Sequence, residues 1–525
     1  WLSSSPEISS IVQQITAYTG TPEDESRDIE NFVRIDACDR IDKVIDDSSF
    51  IQTELSERLA TAGLLPMFGF PTRVRSLFDP RVERARSVDD LTISSRPIDH
   101  AIWSFSPGAE IPKDKRIYRS AGIGLLRDSR RGVYRDKDPL GTPLTYSACI
   151  DRECNAIAAG EKDICDVCGS QMQLFNLYQP KGFVTEFKNP EDYVETRQRG
   201  IGIRPPILAF TPNYREAESV NSAKVLLTSE KPIALINDNE GRLFRFSPKH
   251  NIYFTVDDDE SSATHIGALG AVFVTDVLSL ILDSEDAFGP LRSLDTAMQP
   301  SGKAAITSFA EFIRTAIANE LDIDPSELKV GTQTYKLETC VTHQIFLADA
   351  LENGAGYVRN VSKPEVFLRL LKKHYNSVRD AWHGTEHTEC DASCPDCLRS
   401  YSNRMTHHLL DWRLALDVAE LVLNGVMDSR RWLENAQDTA NWFQQICADN
   451  DLPIEVIEAS ELLAITYEGN ALILSHPLWH PKIKNDVQQQ AEFDLAEYHT
   501  DFVDIRILRQ HPQKFIKRLV ELENA

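Results

Sequence analysis

At 525 residues the chain is far longer than one hydrophobic core, and at about 150 residues per domain it holds roughly three or four units. A composition of 42 % hydrophobic and 26 % charged residues, with no low-complexity tract, excludes a disordered chain. Lys and Arg number 56 against 80 Asp and Glu, a net charge of −24, which excludes a surface that coats nucleic acid indiscriminately and makes any polyanion site local.

The start shows no basic-then-apolar signal segment, and the ten cysteines are not spread as in a disulfide framework, so a cytoplasmic protein is expected. Opening on Trp1 rather than Met suggests a fragment. The most apolar run, 266–282, carries Thr275 and Asp276 and is shorter than the ~20 residues that cross a bilayer, which predicts a buried strand or helix and no membrane partner.

In chain order, residues 1–65 read as helices joined by acidic turns, because ISSIVQQITAY and SFIQTELSERLATAGLL repeat apolar positions three and four apart. The acidic turn at 21–25 lacks the preceding apolar strand of a DExH box and reads as a solvated helix start. The strip LPMFGFPTRVR at 65–75 is extended and broken by proline. Its Phe68 and Phe70 are candidates to stack on bases, and its Arg73 and Arg75 to grip phosphate; the alternative is an inter-domain strap with buried aromatics. From 90 to 255, short alternating runs such as RIYRSA, GFVTEF and KPIALIND predict a β-rich region. Its basic clusters are Arg127, Arg130, Arg131 and Arg135, and Arg197, Arg199 and Arg204, which either form one local basic face or are merely solvated.

Cys149, Cys154, Cys165 and Cys168 stand at C-x4-C-x10-C-x2-C with Gly169 after the last, the spacing of a zinc ribbon in which two hairpin turns clamp one ion. With all four positions filled, such an ion has no open site for water and is structural.

Residues 256–425 turn α/β. Gly354-Ala355-Gly356 marks a tight turn that lacks the lysine and spacing of a phosphate loop, so close packing of the next helix is expected. Cys390, Cys394 and Cys397 follow at C-x3-C-x2-C, with Pro395-Asp396 in the turn; three thiolates so spaced ask for a second tetrahedral Zn2+. The fourth ligand is open among Cys340, His383, His387, His407 and His408, with His387 nearest upstream. The match of 383–387 to the inverted zinc-protease pattern H-x-x-E-H is not expected to be catalytic, because Gly384 and Thr385 weaken the helix it needs. Residues 430–525 read as a small α/β unit, in which His480-Pro481-Lys482 with Asp486 is one residue short of the H-x-K-x4-D nuclease motif.

Several of these stretches match a known family. The strip at 65–75, Gly354-Ala355-Gly356-Tyr357, Cys394-Pro395-Asp396-Cys397-Leu398, and Tyr401, Asn403, His408 and Leu410-Asp411-Trp412-Arg413 together resemble the C-terminal half of large superfamily-2 DNA helicases with an MrfA-like zinc-binding domain. The resemblance covers about residues 1–425 and is closest to the helicases of bacterial anti-phage systems, Druantia above all and DISARM more distantly. It implies an ATP-driven DNA translocase in which this region supplies DNA-facing accessory and zinc-binding parts. Two departures stand out: the family's fourth cysteine, shortly after the third, has no counterpart in LRSYSNRM, and neither G-x-x-x-x-G-K-[ST] nor a strand-borne DExH is present.

The expectation is therefore a multidomain α+β protein: a helical segment over 1–65, a β-rich region over 66–255 with a zinc ribbon at 149–168, an α/β MrfA-like zinc-binding domain over 256–425 and an α/β unit over 430–525. Two Zn2+ ions are expected, one on Cys149, Cys154, Cys165 and Cys168, the other on Cys390, Cys394, Cys397 and one of the open candidates, His387 foremost. Single-stranded DNA is the expected partner, touched by Phe68, Phe70, Arg73, Arg75, Arg127, Arg130, Arg131 and Arg135. No catalytic residue is expected, and ATP enters only through a RecA-like motor in the same longer chain or a separate subunit, beside other defence proteins. The competing readings are a metal-dependent hydrolase or nuclease using 383–387 or 480–486, and an acidic scaffold that touches no DNA.

Overall fold

The computed structural model describes the chain apart from residues 1–2, 18–22, 47–54, 56–57, 60–61, 63, 66–72, 131, 152–153, 155, 193–203, 222, 257–262, 283–299, 338–340, 352–355, 385–386, 388, 481–483 and 522–525. It is a mixed helix-and-sheet protein. Glu7–Thr16, Glu23–Asn31 and Ala37–Asp46 are helices, the last two joined by a π-helical turn, Phe32–Asp36. Arg34 in that turn reaches back to the first helix, donating to the Ser5 carbonyl at 3.1 Å and the Ser9 hydroxyl at 3.1 Å.

A large, mostly antiparallel sheet follows, and its spine is the run that periodicity left open between strand and helix. His265–Leu282 is a strand buried along most of its length, as a continuous apolar run between covered faces should be. It pairs antiparallel with Ala223–Asn237, with a register shift between Thr228 and Lys231 just ahead of Pro232, whose missing N–H cannot join a regular ladder. Two of its glycines are needed for packing. A Cβ on Gly267 would lie 2.3 Å from the Asn176 carbonyl, and one on Gly270 would lie 2.4 Å from the Leu177 side chain, so the parallel strand Met172–Tyr178 could not approach. The far half of the spine pairs with Val341–Asp349, which pairs in turn with Leu328–Lys336. One sheet thus runs through both the 66–255 and 256–425 stretches, because strand pairing follows hydrogen-bonding edges and not the change in sequence pattern near 255.

Helix Pro300–Leu321 is buried on nearly every side, consistent with its run of Ala, Ile and Phe, and lies between the end of this sheet and helix Trp412–Asn424. That second helix starts at Asp411, whose carboxylate accepts from the Arg413 N–H at 3.0 Å, and stops at Gly425, which takes φ +74. The C-terminal part forms a four-stranded sheet, Glu455–Ala459, Leu462–Tyr467, Asn470–Ser475 and His499–Asp504, with the last two strands parallel. It shares one hydrophobic core with the helices before it, running from Val220 to Leu519. A buried ionic network lies across the join. The Arg431 guanidinium pairs with Asp417 and, at 2.6 Å, with Glu420; the Trp432 indole N–H donates to Asp417 at 2.8 Å, and His476 lies 3.4 Å from the same carboxylate. Among the described residues no helix is long and apolar enough to cross a membrane.

Candidate metal centres

Cys390, Cys394 and Cys397 lie on the connection between helices Pro364–His383 and Trp412–Asn424. The Cys394 carbonyl accepts from the N–H groups of Cys397, Leu398 and Arg399 at 3.2, 3.2 and 2.9 Å, and the Cys394 N–H donates to the Cys397 sulfur at 3.1 Å. This is the tight turn that Pro395-Asp396 favours, and it points two sulfurs inward. His387 completes a group of four whose ligand atoms all lie within 4.8 Å of one another. Its Nε2 is 3.3 Å from the Cys394 sulfur, and the Cys390 and Cys397 sulfurs are 4.0 Å apart. Tetrahedral Zn–S bonds of about 2.3 Å put sulfurs about 3.8 Å apart, so the cage is the right size.

The Trp382 carbonyl, 3.0 Å from His387 Nδ1, accepts only from a protonated Nδ1 and so leaves the Nε2 lone pair facing the sulfurs. The other described candidates are placed elsewhere. His383 Nδ1 is 2.6 Å from the Arg379 carbonyl of its own helix, and His407 Nε2 lies 3.0 Å from the Ser400 carbonyl and 2.9 Å from Asn403 Oδ1. His408 is exposed outside the group, and Cys340 falls outside the described residues.

The residues just after the cysteines hold this cage, a role the sequence did not disclose. The Trp412 indole N–H donates to the Cys390 carbonyl at 3.3 Å, the Arg413 guanidinium donates to the Asp391 carbonyl at 2.5 Å, and that guanidinium stacks 4.4 Å from the Trp412 ring. Asp411 is shut off from solvent: its N–H donates to Ser308 at 2.8 Å, and burial pushes its carboxyl up to about 6 despite Arg413 and Arg506 beside it. Burial also pushes the Cys397 thiol up to about 11 and that of Cys390 higher. Thiols in that state keep their protons unless a dication replaces them.

The four ribbon cysteines also come together, with ligand atoms within 4.8 Å of one another. Cys149 ends strand Leu144–Cys149, which pairs with Ile157–Ala159 and Met172–Tyr178. The second turn closes where the Cys165 N–H donates to the Ser170 carbonyl and the Gly169 N–H to the Cys165 carbonyl, with Gly169 at φ +79, a conformation glycine tolerates. Sulfur separations are 3.4 Å for Cys149 to Cys168 and 3.8 Å for Cys154 to Cys165. Two side chains of strand Leu328–Lys336 tie the ribbon to the main sheet: Thr334 donates to the Cys154 carbonyl at 3.2 Å and Gln333 to the Ile157 carbonyl at 3.3 Å. Both cages fit Zn2+ by donor set and size, and neither keeps a position for a reacting water.

The arginines expected at DNA are placed differently from one another. Arg75 is 7 % exposed and donates to the Pro180 carbonyl at 2.6 Å, while Arg73 donates to the Val272 carbonyl at 2.6 Å and stacks on Phe273. Both guanidinium groups satisfy backbone carbonyls of the fold; Arg75 is buried, which corrects its reading as a phosphate contact, and half-buried Arg73 is engaged with the Val272 carbonyl and the Phe273 ring. Arg127 and Arg135 lie on the hairpin Leu126–Ser129 and Gly132–Arg135; Arg127 pairs with Asp136 at 2.6 Å, and Arg135 donates to the Pro80 carbonyl at 2.6 Å. Arg130 is exposed at the hairpin tip, next to Arg131, which with Phe68 and Phe70 lies outside the described residues. Near the hairpin base, half-exposed Phe187 packs on Phe254 and under Arg135.

The glycine turn also has its own use. Gly356, Tyr357 and Val358 donate their N–H groups to the Asp349 carboxylate at 2.7, 3.1 and 3.0 Å, so the chain's own aspartate occupies the place a phosphate would take. In the C-terminal unit, Asp486 opens a helix capped reciprocally by Asn485 and Gln488, and Lys482 is outside the described residues.

The match to a known family falls on the second cage. Residues 309–398 match the family described as MZB, the MrfA Zn-binding domain, a span that contains His387, Cys390, Cys394 and Cys397. The Druantia protein DruE of Escherichia coli (strain UMEA 4076-1) is 24 % identical over 437 residues, covering 72 % of this chain and 22 % of DruE, so the chain spans about a fifth of that relative. Among solved structures, the DUF1998 helicase MrfA bound to DNA aligns at 9 % identity over 67 % of this chain and 34 % of MrfA, with a TM-score of 0.30. A second MrfA structure aligns at 10 % identity over 73 % of this chain and 46 % of MrfA, with a TM-score of 0.24. The chain carries an MrfA-like zinc-binding domain.

Proposed function

We propose that this chain is a zinc-stapled accessory module that guides DNA beside a superfamily-2 helicase motor in anti-phage defence. The observation that carries the reading is the coincidence of the MrfA Zn-binding match with a complete cage of one histidine and three cysteines, within a chain similar to a Druantia protein over most of its length. In this reading both ions are structural cross-links, at Cys149, Cys154, Cys165 and Cys168 and at His387, Cys390, Cys394 and Cys397. The motor moves on DNA with ATP, and this module steers a single strand along local basic and aromatic surface, beginning with the hairpin that exposes Arg130 and Tyr134.

The test is direct. The purified chain should hold two zinc ions, bind single-stranded DNA with an affinity that steepens as salt falls, and hydrolyse no ATP. Fewer than two zincs contradicts the two cages, and absence of DNA binding at low salt leaves a scaffold. Metal-dependent DNA cleavage lost in His480→Ala would make the chain a nuclease.

A further inference from the structure

Four residues beyond Cys397 the chain presents Tyr401, which is 80 % exposed although its surroundings are rigid. Buried Arg314 holds the residues on either side of it, donating to the hydroxyl of Ser400 at 3.2 Å and that of Ser402 at 3.2 Å, and is itself paired with buried Glu311 at 2.6 Å. Asn403, 6 % exposed, closes the loop by donating to the Leu398 carbonyl at 2.8 Å and accepting from the Ser400 N–H at 2.8 Å. The Arg404 guanidinium stacks 4.5 Å from the Tyr401 ring centroid, on one face of the ring. Segment 398–410 carries Arg399, Arg404, His407 and His408 and no carboxylate, in a chain of net charge −24.

We propose that Tyr401 and Arg404 form a stacking platform for an unpaired base of single-stranded nucleic acid. The proposal rests on the DNA-guiding reading and names a contact for it. An exposed aromatic ring gains little where it is, and a loop pinned by a buried ion pair and a buried amide has already lost the freedom that binding would otherwise cost. The open ring face suits any base, since every base has a π face, and the guanidinium beside it faces the strand's phosphates. Segment 398–410 itself carries no carboxylate, and Glu311 beside it is buried and paired with Arg314, which lessens the repulsion that the rest of this acidic chain would impose. The cysteine knuckle adds the final support, because the Arg399 N–H donates to the Cys394 carbonyl at 2.9 Å and buried Leu398 follows Cys397 directly.

Fluorescence anisotropy with a labelled oligo-dT of about 20 nucleotides at low salt tests this on the full zinc-loaded chain. Tyr401→Ala should weaken binding roughly tenfold or more, Tyr401→Trp should keep it, and Arg404→Gln should lower both affinity and salt dependence. Zinc content should not change in any of the three, because neither side chain contacts the cage. Wild-type binding that Tyr401→Ala and Arg404→Gln leave unaltered overturns the platform while the DNA-guiding reading stands. No binding by the wild type overturns both. Unaltered DNA binding with lost association of the helicase motor would make the loop a protein contact and also overturns the platform.

Discussion

The two cages each offer four ligands, four cysteines in the ribbon and three cysteines with His387 in the other, yet they are embedded differently. The ribbon closes two short turns, and its apolar surroundings are small: among the described residues, Cys154, Ala156 and Cys165 form a cluster with Cys149, Val167 and Met172. It is continuous with the main sheet, since strand Leu144–Cys149 pairs with Met172–Tyr178 and that strand with the spine, and Thr334 and Gln333 add side-chain hydrogen bonds to it. The His387 cage sits inside the largest core, where Cys390, Leu398, Leu410 and Trp412 pack in one cluster with helix Pro300–Leu321 and the C-terminal sheet. A metal that closes a surface turn stabilises that turn. A metal that joins two core helices stabilises everything those helices hold.

The largest expected effect separates the cages directly. Cys397→Ala should remove more than about 4 kcal/mol, enough to erase the main cooperative unfolding transition, because it frees both the loop and the core surface that the loop covers. Cys165→Ala should lose the ribbon ion but leave that transition largely in place, with new hydrogen exchange confined to about residues 144–172. Equal losses for the two would break the contrast.

Arg431→Ala should cost about 3–5 kcal/mol, since it leaves Asp417 and Glu420 buried without their cation, and denaturant midpoints would show it. That result would extend the core of the second cage into the C-terminal unit. A small loss would mean that the two fold separately.

Acid should act on the same side of the molecule. Burial lowers His374, whose ring centroid lies 4.6 Å from that of Phe312, to about 4. The unfolded chain then binds the extra proton first, so this group's contribution is intact above about pH 6.5 and is lost as pH falls towards about 4, roughly 3 kcal/mol in all. His374→Leu should flatten that part of a stability–pH curve, and an unchanged slope would refute the assignment.

The smallest effect expected is from Thr334→Val. Losing the hydrogen bond to the Cys154 carbonyl should cost about 1 kcal/mol and loosen the ribbon on the sheet without releasing its ion. Hydrogen exchange at 154–159 reads this out.

Much of the candidate site is legible in the sequence. Cysteine spacing named seven of the eight cage ligands, because a tetrahedral site on one short segment is a property of local turns. The β-rich middle follows from alternation that strands on one covered face require, whereas the C-terminal part was legible only as a small α/β unit, and its parallel strand His499–Asp504 was not. The supporting residues were not legible as such: Asp411, Trp412 and Arg413 stood out as a family signature, and nothing in their order says that they hold the Cys390 and Asp391 carbonyls.

Residue order alone set where the metal-binding turns lie and required any basic surface to be local within an acidic chain. Three-dimensional packing chose between the histidines, because the Trp382 carbonyl, placed by helix packing, turns His387 and no other described candidate towards the sulfurs. It also decided the fate of the arginines. Arg73 and Arg75 meet the Val272 and Pro180 carbonyls, which come from far along the chain, whereas Arg404 meets the carbonyl of its near neighbour Tyr401 and lies over that ring. Charge can be counted along a sequence, but whether a guanidinium meets a carbonyl or solvent depends on which distant segments pack around it.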